Sequence, residues 1–126
     1  FIRPYHLTSL EVPLTCARAV LYGKADMVPM ETPVAEVCAL AKRDLAPGDT
    51  LDQIGEYDYR AWAMTVERAR ATQAHPVGLL TGATVTAPIA KGGLITAQNT
   101  ALPQPRIVEL RARQDAMLTG KEPAYA

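Results

Sequence analysis

A chain of 126 residues suits one domain with a modest core. Apolar residues make up 48% of it but aromatics only 6%, so that core must be built from Ala, Val, Leu and Ile. Thirteen Lys and Arg balance thirteen Asp and Glu, which leaves no basic excess for nucleic acid, and no apolar run approaches the roughly 20 residues that span a bilayer.

These bounds lead to the expectation of a soluble, cytoplasmic chain with neither nucleic-acid nor membrane partners. Cys16 and Cys38 are the only cysteines and read as reduced, buried small hydrophobes rather than a disulfide framework. The chain opens on Phe1-Ile2-Arg3-Pro4 rather than on an initiator Met. It is therefore expected to be a fragment or cleaved piece of a longer polypeptide.

Residues 8–23 carry a helical pattern. Thr8 and Glu11 have the spacing of a capping box, Pro13 is early enough to be tolerated, and Leu10, Leu14, Ala17 and Leu21 share one face. Gly23 is placed to end the helix in the left-handed conformation. A connector with two prolines follows, and residues 34–42, "VAEVCALAK", read as a strand covered on both sides. Residues 56–62, "EYDYRAW", read as extended, with Thr65 capping a short helix over 66–72 that His75-Pro76 stops. Short strands are expected at 77–80, 84–87 and 94–96. Residues 106–118 read as a helix with Ile107, Leu110, Gln114 and Met117 on one face and Gly120 beyond its end. Its arginines read as a solvated face.

One spacing occurs twice. Leu45-Ala46-x-Gly48-x-x-Leu51 and Ile89-Ala90-x-Gly92-x-x-Ile95 are offset by 44 residues. Each sets an aliphatic residue before a glycine turn and another after it, so Gly48 and Gly92 are structural turning points. Two such hooks can pack about a pseudo-two-fold axis and share one core.

Motifs with chemistry are scarce. No phosphate loop, dinucleotide fingerprint, H-E-x-x-H or C-x-x-C is present, and no metal site is expected. Arg3, Tyr5 and His6 precede a helix start, where an anion is favoured, and are the candidate substrate-binding residues. Tyr57, Tyr59, Arg60 and Trp62 are the alternative ligand-binding set, with aromatic faces for a sugar and a guanidinium for a carboxylate. The competing reading places Trp62 in the core and His75 in a capping or surface role. No residue is assigned as catalytic.

The hook "AKRDLAPGDTLD" and its echo "APIAKGGLITAQNT", with Val77-Gly78-Leu79 between them, resemble the SAF domain, a β-clip module. That family includes the antifreeze-like domain of sialic acid synthases, type III antifreeze proteins and part of sugar-acid dehydratases. The resemblance covers about residues 34–102. The preceding "RPYHLTSLEVPLTCARAVLYGKADMVP" and the following "PVAEVCALAKRDLAPGDTLDQIG" resemble the C-terminal part of homoserine-dehydrogenase-like oxidoreductases that carry a SAF domain. Some of those are similar to deoxyxylulose-phosphate reductoisomerase. The resemblance implies a mainly β, α+β fold with flanking helices: a linking helical segment at 1–33, the β-clip domain at 34–103, and a C-terminal helix and tail at 104–126. It further implies NAD(P) bound by an N-terminal catalytic domain, no cofactor on this chain, and a structural or homo-oligomeric interface role without catalysis of its own. A stand-alone module for a sugar or sugar acid, and a small subunit of a sugar-acid dehydratase, are the alternatives.

Overall fold

The computed structural model describes residues 8–25, 27–28, 30, 32–103 and 106–118. The chain divides into two units, Phe1–Glu31 and Thr32–Ala126. In the first, helix α1 spans Thr8–Tyr22 and runs through Pro13. Thr8 is already helical, so the residue that would cap α1 lies outside the described residues. Gly23, at φ 61, returns its N–H to the Ala19 carbonyl at 3.0 Å, an αL stop that the absence of a Cβ permits. Val12, Leu14, Val20, Leu21 and Tyr22 are exposed. Cys16 is exposed too, against the expectation that both cysteines are buried.

The second unit is α+β. Strand β1 (Ala35–Ala41) pairs antiparallel with β2 (Tyr59–Thr65), placing Cys38 opposite Trp62 and Ala41 opposite Tyr59. Helix α2 (Val66–Ala71) follows at once, then a single 3-10 turn at Val77–Leu79. Strands β3 (Thr84–Val85) and β4 (Thr100–Ala101) form a second antiparallel pair, and α3 (Arg106–Leu118) closes the described chain. The strands are shorter than a mainly β body would have, because the hooks join through isolated bridges at Leu45 with Ile89, Leu40 with Leu94, and Thr50 with Thr84.

Those bridges obey the 44-residue spacing. Leu45 N–H donates to Ile89 O at 2.8 Å and Ile89 N–H to Leu45 O at 2.9 Å. Ala41 donates to Gly93 O as Val85 donates to Asp49 O, and Gly48 donates to Val85 O as Gly92 donates to Ala41 O. Leu51 donates to Ala83 O, and Ile95 to Ala39 O. Residue i of one copy thus meets j of the other while j of the first meets i of the second, the reciprocity of an isologous contact. The core follows suit. Ala39 and Ala83, Ala41 and Val85, Leu45 and Ile89, and Leu51 and Ile95 are all buried, joined by Tyr59 and Leu80.

Several local expectations are corrected. The strand expected at 77–80 is instead a 3-10 turn over Val77–Leu79, since Pro76 takes φ −55 and its carbonyl accepts from Leu79 N–H at 3.0 Å. The helix begun by Thr65 ends at Ala71, within one residue of its expected end, but His75-Pro76 is not what stops it. Its end is a Schellman motif in which Gln73 N–H reaches Arg70 O at 3.1 Å and Ala74 N–H reaches Ala69 O at 2.9 Å. Strand β1 is enclosed only in its second half, because Ala35 and Val37 are exposed. On α3, Ile107, Leu110, Gln114 and Met117 do share one face and are exposed, the first three along a groove with Pro76, Gly78 and Leu79, while the half-buried positions include Val108, Arg111 and Asp115.

Candidate functional site

Arg3, Tyr5 and His6 lie outside the described residues. The alternative set is split by strand parity. Tyr59, opposite Ala41 on the inward face of β2, is 1% exposed, and its hydroxyl donates to the Asp52 carbonyl at 3.2 Å. A residue so enclosed touches no ligand. Arg60 and Trp62 point the other way, with the guanidinium carbon 5.0 Å from the centre of the Trp62 ring, a cation–π distance. Trp62 is 44% exposed, so it is not the core residue its scarcity suggested; Tyr57 is exposed as well. Gly48 and Gly92 stand at φ 95 and 83 in the two hook turns, with nothing near an added Cβ. Beside the first hook, the buried Asp58 carboxylate accepts from Arg43 Nε at 2.8 Å and from Asp52 N–H at 3.0 Å, which clamps the turn.

A cavity of about 380 Å³ opens between α2, residues 73–76, Leu79 and α3. Its walls include Val66, Leu79, Leu102 and Val108, and its polar groups come from Glu36, Arg111, Asp115 and His75. Glu36 sits on β1 opposite Met64, and Arg111 Nη2 of α3 donates to its carboxylate. Arg111 Nε meanwhile donates to both Asp115 oxygens, at 3.1 and 3.0 Å. The two carboxylates hold the guanidinium charged far above ordinary conditions, burial opposing them only in part. Arg111 is therefore no solvated residue: it binds α3 to the sheet. Neither ion pair uses its Nη1.

His75 Nε2 lies 3.3 Å from the Thr100 carbonyl oxygen. A carbonyl only accepts, so Nε2 carries the hydrogen and the neutral ring keeps an acceptor at Nδ1. Burial pushes the ring's pKa below 6.5, and the Thr100 bond recovers only part of that. The buried Cys38 thiol is pushed upward by burial first and by Glu36 second, so the thiolate is disfavoured. Among the described residues, no group of three or more His, Cys, Asp and Glu is placed to hold a metal ion, and no helix is long and apolar enough to cross a membrane.

Sequence reasoning singled out His75 without a partner and missed the Glu36–Arg111–Asp115 set. The one available signal was Glu36, a lone carboxylate in an otherwise apolar strand. No family model matches the chain, and no curated protein matches it.

Proposed function

We propose that this chain is a β-clip module of the SAF type and forms the C-terminal part of an NAD(P)-dependent, homoserine-dehydrogenase-like oxidoreductase. Its role there is structural, as an interface toward the catalytic part or a second copy, and it performs no catalysis alone. The observation that carries this reading is the reciprocal pairing of two glycine hooks 44 residues apart, beginning with Leu45 and Ile89. Each hook supplies half of a core that neither could close, which is how a β-clip of this kind is built. Ile107, Leu110 and Met117 give α3 an exposed apolar face suited to such an interface. NAD(P) belongs to the catalytic part, and no residue here is assigned to it.

An antibody against the chain, used on extracts of its native cells, tests this directly. It should detect a polypeptide well above 13.6 kDa that immobilised NADP retains. A mature species of 13.6 kDa overturns the reading.

The second reading, a stand-alone module for a sugar acid, rests on Arg60 stacked over the half-exposed Trp62. Glucuronate binding that Trp62→Ala removes, with the fold intact, would favour it.

A further inference from the structure

Two departures from the rules of the fold meet in one place. The first breaks the repeat. Leu80 is fully buried, yet the residue 44 positions earlier is Glu36. A carboxylate there, with its side chain only 15% exposed, has to be paired, and Arg111 is brought across from α3 to do so. An ion pair of this kind is commonly no more stabilising than well-packed apolar residues, so stability does not account for it. The second departure is Gln73, the one non-glycine residue with a positive φ (53) among the described residues. It fills the C′ position of α2, where glycine would be relaxed. Glu36 and Gln73 both line the 380 Å³ cavity.

The cavity's charges decide what it can hold. Glu36 and Asp115 are offset by Arg111 and Arg70, all of them at its lining. An anion would lie beside two carboxylates and a cation beside two guanidinium groups. The volume falls at the small end of the range for organic ligands, and the walls are mostly apolar.

We propose that this cavity binds a small neutral molecule with an apolar body and a hydroxyl or amide group, held by Arg111 Nη1 as donor and by the Glu36 or Asp115 carboxylate as acceptor. Gln73, whose Oε1 accepts from Gln98 Nε2 at 3.3 Å, leaves its amide nitrogen as a further donor at the rim. The site is independent of the reading of the hooks.

Four probes on one ring test it: benzyl alcohol, benzamide, benzoate and benzylamine, titrated into the chain and followed by amide chemical shifts. Benzyl alcohol and benzamide should shift residues 69–79 and 108–115 saturably in the millimolar range, about fivefold or more tighter than the two charged probes. The double variant Glu36→Leu with Arg111→Leu restores the apolar residue the repeat calls for, and should fold but lose that binding. Ala112→Phe, at an exposed α3 position lining the cavity, fills the space without touching the ion pair and should lose it as well. The proposal fails if the neutral probes give no saturable shifts at these residues, if a charged probe binds more tightly, or if the folded Ala112→Phe protein binds as the parent does. Should the double variant not fold, the Ala112→Phe result decides.

Discussion

Leu45 and Ile89, 44 residues apart, exchange both of their backbone hydrogen bonds, at 2.8 and 2.9 Å, and each is 3% exposed. One residue pair thus stands at the centre of two copies of the same hook, and the side chains on either side belong to one cluster. Truncating either should cost about 2–4 kcal/mol, as for other buried aliphatic residues. Because the two share a core, the double variant Leu45→Ala with Ile89→Ala should fall short of the sum by about 0.5–1 kcal/mol. Urea unfolding of the four proteins measures this. Additive losses would show that the hooks pack independently.

Adjacent glycines in the second hook separate strain from collision. Gly92 has φ 83 with open space around it, whereas a Cβ at Gly93 would meet the Ala90 carbonyl oxygen at 2.8 Å and Ile89 Cγ2 at 2.9 Å. Gly92→Ala should cost about 1 kcal/mol, the penalty of an unfavourable dihedral. Gly93→Ala should cost about 3 kcal/mol, since a backbone carbonyl cannot swing aside as a side-chain tip can. Thermal melts of both variants give the order, and a Gly92→Ala protein less stable than Gly93→Ala would refute the turn geometry.

What could be read in the sequence was whatever depends on neighbours along the chain. Thr65 caps α2, its Oγ1 accepting from Arg68 N–H at 3.3 Å, because a hydroxyl before a helical run has little else to do. The bounds of α3 and the αL stop at Gly23 were legible for the same reason. The repeat was legible because two glycines and four aliphatic residues recur at one offset. The inward side of α3 was not. Ile107, Leu110, Gln114 and Met117 share a face as their spacing says, yet the contact with the sheet is made by Arg111, through an ion pair to Glu36, 75 positions before it. No local period carries that information. The same holds for the candidate site, whose members come from β1, α2, the turn after it and α3.

Tyr59 and Trp62 show how register overrides residue type. Three positions apart on one strand, they face opposite sides of the sheet. Tyr59→Ala should therefore cost about 3–5 kcal/mol. Trp62→Ala should cost about 1 kcal/mol, mostly lost packing with Arg60 at a half-exposed site. Tyr59→Phe, which removes the hydroxyl and with it the bond to Asp52 O and the contact with the Thr81 side chain, should cost about 1 kcal/mol. Chemical denaturation of the three variants ranks them, and a Trp62→Ala loss matching that of Tyr59→Ala would contradict the register.

The cavity gives the fold a pH dependence through His75. Burial holds the ring's folded pKa below the 6.5 of an unperturbed histidine. Between those values the unfolded chain binds a proton that the folded one refuses, so stability rises with pH across that interval. The contribution of the neutral ring is complete above pH 6.5 and is lost as the pH falls through 6.5 toward the folded pKa. Glutamine cannot titrate, but its amide N–H can replace the donor that Nε2 offers to the Thr100 carbonyl. His75→Gln should therefore lose less stability than the parent between about pH 7 and about pH 5, and match it more closely above. Urea midpoints across that range measure the difference, and the ring's own titration by NMR gives the pKa. A midpoint at or above 6.5, or parallel pH curves for the two proteins, would mean that the ring is not buried as described.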